Sequence, residues 1–315
     1  MARGKRAPEI TVNLLREGLV ESVQHAQAVV CDYRGRVLSV AGDAGYPTFI
    51  RSALKPFQAL AATTSGVLER YHLSDRDLAI MCSSHAGEIH HARQAFSILW
   101  RAELEASDLQ CPIPAGKTSP LEHNCSGKHA GMLATCKAHD WPISNYLERH
   151  HPLQKLIQQK FSDLLKMPAE EFIGACDDCG APTYLLQLDH MAILYAQLAA
   201  GQSLDLERIM RSMVHHPELI GGEGRFDTEL MRLTQGELVS KSGAEGIQCV
   251  GKVGEGMGLT IKANDGSARS KYATALYLLQ QMGWISPAVF ETLAAQFINV
   301  GRFTRLDVCG ELTMD

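Results

Sequence analysis

The sequence has few aromatic residues and no surplus of positive charge. Aromatic residues occupy 6% and charged residues 21% of its 315 positions, whereas hydrophobic residues occupy 45%. A chain of this composition can bury a core, which excludes a disordered, collagen-like or coiled-coil protein. Because 30 Lys and Arg residues face 35 Asp and Glu residues, giving a formal charge of -5, nothing in the charge indicates a nucleic-acid or anionic-membrane partner. We therefore expect a small-molecule partner.

The sequence also has no long apolar run. A membrane span needs about 18 apolar residues, and even the segment 191–200 contains Gln197. Residues 1–6 are basic, but Glu9 and Arg16 interrupt the apolar stretch that a secretory signal would require. The nine cysteines form an odd set, which is typical of reduced thiols or metal ligands. We expect a cytoplasmic protein without a membrane segment.

Hydrophobic periodicity predicts a sheet contributed by both chain ends, with helices between them. The predicted strands cover residues 10–15, 26–33, 37–41, 238–241, 248–253, 259–263 and 303–309. The predicted helices cover residues 89–104, 128–138, 153–165, 189–200, 206–214 and 268–282. A further helix should begin near Ser52, because Pro56 fits only a first turn. This pattern predicts an α+β fold and one domain, residues 1–315, whose ends meet.

A serine and a lysine three residues apart stand at the start of that further helix. Positions i and i+3 share a helix face, so the Lys55 side chain can reach the Ser52 hydroxyl. A serine becomes a nucleophile only when a base takes its proton, and a free lysine, with a pKa of about 10.4, is protonated at neutral pH. Catalysis by this pair would therefore require a buried lysine.

Two other stretches combine small residues with polar side chains. The first, Ser84-His85-Ala86-Gly87-Glu88, reads equally as a site loop and as a helix N-cap. The second includes Lys241-Ser242-Gly243 and Lys262, late on predicted strands, as in serine acyl-transfer enzymes with SxxK and KTG motifs. Lys262 taken alone also fits a solvated hairpin position.

A cysteine cluster predicts a metal site. The spacing of Cys125, His129, Cys176 and Cys179 is compatible with a closed four-ligand zinc site of the Cys3His type. The Gly127-Lys128 pair within this region lacks the spacing of a phosphate-binding loop, so phosphate binding is excluded there.

Together these stretches resemble the asparaginase II family, the inducible rhizobial-type L-asparaginases. The motifs that carry the resemblance occur in the family's order and are Arg51-Ser52-Ala53-Leu54-Lys55-Pro56, Ser84-His85-Ala86-Gly87-Glu88, His123-Asn124-Cys125-Ser126-Gly127-Lys128-His129-Ala130-Gly131, Cys179-Gly180-Ala181-Pro182-Thr183, Gly243-Ala244-Glu245-Gly246 and Lys262. The resemblance implies a fold similar to serine β-lactamases and glutaminases. It also implies hydrolysis of L-asparagine to aspartate and ammonia, and a homodimer.

The resemblance further implies roles for individual residues. The family's two Ser-Lys tandems correspond to Ser52 with Lys55 and Ser84 with Lys262, and its zinc ligands correspond to Cys125, Lys128 and Cys179, with water completing the site. Arg51 is a candidate clamp for the substrate carboxylate, and the other candidate substrate contacts are His85, His129 and Asp177. The sequence departs from the family at Ala86, often polar there, and at Asp178, where glycine is usual.

Three hypotheses follow. The first is amide hydrolysis through an acyl-enzyme, in which Ser52 attacks with Lys55 as its base and Ser84 with Lys262 relays a proton, although the sequence leaves open which serine attacks. The second is a glutaminase or a β-lactam-reactive acyl transferase. The third is a noncatalytic zinc-binding protein in which the Ser-Lys pairs are incidental.

Overall fold

The structure is a computed structural model that describes residues 5–314; residues 1–4, where the basic N-terminal segment begins, and residue 315 lie outside the described part. The chain forms two compact units. The first unit comprises Met1–Ala53, Leu186–Ala200 and Glu229–Asp315, and the second comprises Leu54–Leu185 and Gly201–Thr228. Both chain ends belong to the first unit. The expectation of a single domain over residues 1–315 stays a prediction.

The strands are numbered along the chain, and among the described residues five of them precede the first α-helix. The strands are β1 (Arg6–Ala7), β2 (Ile10–Arg16), β3 (Leu19–Asp32), β4 (Val37–Asp43), β5 (Pro47–Phe49), β6 (Gly174–Cys176), β7 (Pro182–Gln187), β8 (Leu238–Ser242), β9 (Ile247–Lys252), β10 (Met257–Ala263), β11 (Thr304–Cys309) and β12 (Thr313–Met314).

The helices are α1 (Lys55–Gln58), α2 (Leu60–Thr63), α3 (Val67–Arg70), α4 (Asp75–Met81), α5 (Ile89–Arg101), α6 (Ser126–Ala138), α7 (Pro152–Leu165), α8 (Leu188–Ala200), α9 (Leu204–His215), α10 (Pro217–Ile220), α11 (Phe226–Leu233), α12 (Ala268–Gln281) and α13 (Pro287–Phe297). The helix expected near Ser52 begins instead at Lys55, after a 3-10 turn over Arg51–Leu54, and Pro56 does occupy its first turn.

One antiparallel sheet organises the first unit, with β3 at its centre. The early residues of β3 pair with β2, and the later ones pair with β4 on one side and β10 on the other. Strands β9 and β8 extend the sheet beyond β10, while β11 pairs with β2. The pairing of β3 with β10 therefore joins the two ends of the chain in one sheet, as the sequence predicts.

Apolar side chains hold α8 and α12 against this sheet. Val29 and Val40 of the sheet pack with Leu188 and Ala192 of α8 in one buried cluster. A second cluster joins Val12, Ala273 and Leu306, which lie on β2, α12 and β11. Fully burying a Val or Leu side chain contributes roughly 1.5–3 kcal/mol, so these clusters hold α8 and α12 against the sheet.

The second unit is mainly helical. Helix α4 packs against α5, α6 and α9, and it begins with a capping box in which the Asp77 carboxylate accepts from the backbone N–H of Ser74 at 2.7 Å. Helix α6 is buried from Ser126 to Cys136, polar residues included. Within residues 5–314, no helix is long and apolar enough to span a membrane.

Candidate active site

Lys55 is the first residue of α1, and its side chain is only 1% exposed. Its Nζ donates to the Oγ of Ser84 at 2.9 Å. It also donates to the carbonyl oxygens of Ser83 at 2.5 Å and Asn124 at 3.3 Å. These three acceptors match the three N–H donors of an ammonium group.

Ser84 lies in the segment 83–88, which joins α4 to α5 without regular structure. Its backbone N–H donates to the carbonyl of Ile220 at 2.8 Å. Gly87 in the same segment has φ +71, and a Cβ there would lie 2.2 Å from the carbonyl oxygen of Glu122. Only glycine is compatible with both the left-handed backbone conformation and this close contact. The segment 83–88 is therefore packed tightly against the backbone of Glu122.

The contact between Lys55 and Ser84 joins residues that the sequence assigned to different tandems. A neutral lysine amine has two N–H donors and one lone pair. With the donors directed at the carbonyls of Ser83 and Asn124, the lone pair faces the Ser84 hydroxyl. A base within hydrogen-bond distance of a serine hydroxyl is the arrangement that nucleophilic catalysis requires.

Ser52 and Arg51, also predicted to act at the site, belong to the first unit and lie in the 3-10 turn before α1. Arg51 has φ +52, a left-handed conformation that is uncommon for a residue with a side chain. Both side chains are half-buried. The backbone immediately before Ser52 is therefore held in a strained conformation.

Lys262 lies at the end of β10 in the first unit and is 7% exposed. Its Nζ donates to the carbonyl oxygen of Ala263 at 2.7 Å. Burial lowers the pKa of Lys262, against the opposing effect of the carboxylates of Glu245 and Asp265. The two predicted tandems each combine a residue of the first unit with one of the second, and they stay predictions.

The three predicted metal ligands are all buried in the second unit. Cys125 immediately precedes α6, Lys128 lies in its first turn, and Cys179 follows in the hairpin turn between β6 and β7. The Nζ of Lys128 lies 3.0 Å from the Sγ of Cys179. The Cys125 and Cys179 thiols lie close enough for each to affect the pKa of the other. Two sulfur donors and one nitrogen donor therefore converge without solvent contact.

Cys125, Lys128 and Cys179 shift one another's pKa values. The hydrogen bond from the Cys179 thiol lowers the pKa of Cys125 well below its ordinary value, with nearby Lys55 and Lys128 acting in the same direction against burial. Burial alone would lower the pKa of Lys128, but the negative charges of Cys125, Cys179 and Asp177 and the hydrogen bond to Cys179 together outweigh burial and raise that pKa. Thiolate sulfur is a preferred zinc ligand, and a lysine nitrogen can serve once it is deprotonated.

The hairpin turn that carries Cys179 also bears on two sequence-based expectations. Cys176, a ligand of the closed four-ligand alternative, is exposed at the end of β6. Asp178, where the family usually has glycine, is not among the described residues with positive φ; Gly180 has φ +84 instead. Asp177 accepts from the backbone N–H of Gly180 at 2.8 Å, which closes the turn. The substitution at Asp178 is thus compatible with the backbone.

His129 is buried beside the cysteines, and burial lowers its pKa well below the ordinary value. Its Nδ1 lies 2.6 Å from the Tyr146 hydroxyl, whose oxygen also accepts from the backbone N–H of Gln110 at 3.1 Å. A hydroxyl group can donate one hydrogen bond and accept two, so the Tyr146 hydroxyl either donates to Nδ1 or accepts from it, according to the tautomer of the ring. The other ring nitrogen, Nε2, is buried without a hydrogen-bond partner among residues 5–314.

His85 uses both of its ring nitrogens within the second unit. Its Nδ1 accepts from the backbone N–H of Gly87 at 3.0 Å, and its Nε2 lies 2.9 Å from the Oγ of Ser126. Burial lowers the pKa of His85 well below its ordinary value. The ring therefore connects the Ser84 segment to the start of α6.

A cavity of about 290 Å³ opens at Ser84. Its walls include residues that the sequence motifs singled out and five that they did not, namely Pro114, Ala115, Lys117, Glu122 and Arg225. The Gly-Gly-Glu-Gly stretch at residues 221–224 was the available signal for Arg225, since consecutive glycines mark tight loops that can carry binding groups.

Comparisons with known proteins identify the family and the fold. The family model described as L-asparaginase II matches residues 12–314. No curated protein matches the chain significantly. The chain is similar to the crystal structure of Mglu in its native form in 4.3 M NaCl, with 14% identity over 82% of this chain and 61% of that one and a TM-score of 0.51.

Two further structures are similar. Mglu in its tris and glutamate form matches at 14% identity over 90% of this chain and 63% of that one, with a TM-score of 0.51. A β-lactamase from Mycobacterium bovis matches at 12% identity over 86% of this chain and 94% of that one, with a TM-score of 0.37. The chain spans about three fifths of the length of the Mglu chains, 61% and 63%.

The predicted fold class, a mixed fold of helices and antiparallel sheet, is confirmed, and the Mglu structures share this fold. The family model covers nearly the whole chain and includes all of the motifs described above. The chain therefore belongs to the L-asparaginase II family.

Proposed function

We propose that this protein is an amidohydrolase that cleaves the side-chain amide of L-asparagine, with Ser84 as nucleophile and Lys55 as its base. The observation that carries the proposal is the 2.9 Å contact between Lys55 Nζ and Ser84 Oγ at the wall of an open cavity. Family membership supplies the reaction class. The carbonyls of Ser83 and Asn124 orient the amine for this role.

The reaction proceeds in two steps through an acyl-enzyme. Ser84 Oγ attacks the amide carbon while its proton passes to Lys55 Nζ. The C–N bond then breaks, and Lys55 returns the proton to the departing ammonia, which leaves an aspartyl ester on Ser84. In the second step, water attacks the ester with Lys55 again as base, and aspartate leaves as Ser84 regains its proton.

Three residues of the first unit also have proposed roles, and the contact between Lys55 and Ser84 does not test these roles. Ser52 is the competing nucleophile, Lys262 the proposed proton relay and Arg51 a proposed carboxylate contact. Burial lowers the pKa of Lys262, so its neutral form is available at a lower pH than that of a free lysine. Each role is tested separately by its alanine variant.

Three buried side chains with sulfur or nitrogen donor atoms, Cys125, Lys128 and Cys179, support a zinc site near Lys55. Their convergence, the negative charge on Cys125 and the burial of all three fit this metal. Zinc bound there would supply a positive charge and an open position for water or a substrate oxygen. His129 Nε2 is a buried ring nitrogen beside these groups without a hydrogen-bond partner among residues 5–314, and we propose that it or Asp177 contacts the substrate.

Ammonia release from L-asparagine and L-glutamine, together with opening of a β-lactam, tests the function. We expect asparagine to react at least about tenfold faster than glutamine in kcat/KM, since one methylene changes discrimination by about 1–3 kcal/mol. The likeness to Mglu, solved in a tris and glutamate form, makes glutamine the main competitor. Equal turnover of both amides would contradict the proposal, and no reaction with any substrate would favour a noncatalytic zinc protein.

The proposed homodimer follows only from the family resemblance. Light scattering of the purified protein tests it, with a mass twice that of the 34.5 kDa chain as the expected result. A mass equal to that of one chain would contradict it.

A further inference from the structure

The cavity at Ser84 contains a charged side chain to which no role is yet assigned. Besides Ser84, its walls include Ala86, Asn124, Lys117, Glu122 and Arg225, all within the second unit. Its volume of about 290 Å³ suits a ligand of amino-acid size. A substrate whose amide reaches Ser84 would thus place its other end among these residues.

The chain brings Arg225 to this wall through a short loop anchored at both ends. The Ile220 carbonyl accepts from the backbone N–H of Ser84 at 2.8 Å. Gly222 packs so closely that an added Cβ would lie 3.2 Å from the Cβ of Ala86, and its N–H donates to the Oγ1 of Thr228 at 3.2 Å. The backbone N–H of Arg225 then donates to the Gly222 carbonyl at 3.2 Å. These contacts fix the Arg225 backbone relative to Ser84.

Arg225 carries the uncompensated charge of the cavity wall. Lys117 and Glu122 form an ion pair at 3.3 Å, and Lys117 also donates to the Gly87 carbonyl at 3.2 Å. The Arg225 guanidinium is exposed and makes no hydrogen bond or ion pair with any residue between 5 and 314. An arginine presents a planar fork of donors that matches a carboxylate in a bidentate arrangement.

We propose that Arg225 binds the α-carboxylate of the substrate and thereby restricts the site to amides of free α-amino acids. This inference rests on the proposed function, because it assumes that the substrate amide lies at Ser84. It assigns to Arg225 a role for which the sequence had indicated Arg51. The carboxylate binds at the mouth of the cavity, and the reacting amide lies deeper, beside Lys55.

Calorimetry on the Ser84→Ala protein, which cannot form the acyl-enzyme, tests this role without turnover. The probes are L-asparagine and L-asparaginamide, in which an uncharged amide replaces the carboxylate. We expect Arg225→Gln in this background to weaken asparagine binding about tenfold or more and to leave asparaginamide binding within about twofold. Arg225→Lys should give an intermediate loss for asparagine, because it keeps the charge and loses the fork.

Arg211→Gln is the matched control, since Arg211 is exposed on α9 and pairs with Glu207 at 3.6 Å. It should change neither affinity. Unchanged asparagine binding in Arg225→Gln, an equal loss for both probes, or no binding of asparagine to Ser84→Ala would each overturn the role of Arg225. Failure of the wild-type protein to release ammonia from asparagine would instead overturn the proposed function and leave the binding result to be judged separately.

Discussion

The amine of Lys55 lies 2.9 Å from the hydroxyl of Ser84, although 29 residues separate the two along the chain. The amine is also held by two backbone carbonyls, those of Ser83 and Asn124. The position of the nitrogen therefore depends on the backbone of two other segments. Once the amine is neutral, this arrangement directs its lone pair at the hydroxyl.

Removing either member of this pair should remove most of the activity. We expect Ser84→Ala and Lys55→Met each to lower kcat by about 10²–10⁴, the range for loss of a positioned base, and the double variant to be no worse than the poorer single one. Steady-state ammonia release measures this. Lys155→Met, at an exposed position on α7, is the control. Losses that multiply in the double variant would show that the two residues act independently.

The close approach at Gly87 should make this position unusually sensitive. Gly87→Ala adds both left-handed strain and a Cβ 2.2 Å from the Glu122 carbonyl, whereas Gly116→Ala, at φ +74 with open space around it, adds strain alone. We expect the Gly116 variant to lose about 1–2 kcal/mol of unfolding free energy and the Gly87 variant roughly 1–3 kcal/mol more.

Urea unfolding measures both variants, and their kcat values provide a second readout. The Gly87 variant must shift the segment that carries Ser84, so its kcat should fall as well. Equal destabilisation of the two variants with unchanged kcat would show that the contact with Glu122 does not position the catalytic segment.

Zinc binding distinguishes the open site of Cys125, Lys128 and Cys179 from the closed site that includes Cys176. We expect Lys128→Met to lose most of the bound zinc, because it removes a buried donor 3.0 Å from the Cys179 sulfur. Cys176→Ser should retain zinc, because Cys176 is exposed. Metal analysis of the purified variants checks this, with Cys309→Ser as a second exposed-thiol control. The reverse pattern would establish the closed site that includes Cys176.

Stability should fall when the pH drops below about 6.5, the ordinary histidine pKa. Burial lowers the pKa of His85 and of His91, which stack at 4.9 Å, so both stay neutral in the native state while the unfolded chain takes up protons. Because the unfolded state then binds more protons than the native state, the free energy of unfolding decreases as the pH falls. For a His85 that stays fully neutral in the native state, the decrease is about 1.4 kcal/mol per pH unit.

Urea unfolding at about pH 7 and about pH 5.5, on either side of that pKa, measures this slope. His85→Gln should reduce it, whereas His150→Gln, at an exposed position, should not. An unchanged slope in the His85 variant would contradict the assignment.

Much of the fold follows from local patterns. The strand predicted over residues 10–15 is observed at Ile10–Arg16, and the helix predicted over residues 153–165 is observed at Pro152–Leu165. Strand β3, by contrast, begins at Leu19 and not near residue 26. Its first residues are largely exposed and lack a buried face, so they carry no hydrophobic pattern that would predict a strand. No helix is predicted over α13, although Ser286 and Pro287 at its start are helix-start signals.

The site was predictable in its residue types and less so in its contacts. Residue type and spacing pointed to Lys55, Cys125 and Cys179, whereas the pairing of Ser84 with Lys262 and the ligand role of Lys128 came from the family resemblance. Helix spacing paired Lys55 with Ser52, whereas the observed contact of Lys55 with Ser84 depends on how α1 packs against a loop 29 residues away. Long-range packing of this kind, like the loop that carries Arg225, leaves no periodic signal in the sequence.

The most direct test of Ser84 as nucleophile is to identify the serine that becomes acylated. The protein is mixed with L-asparagine, quenched in acid before the ester hydrolyses, digested, and analysed by mass spectrometry for an aspartyl ester. We predict the ester on the peptide that contains Ser84, lost in Ser84→Ala and present in Ser52→Ala. An ester on Ser52 that persists in Ser84→Ala would contradict this account.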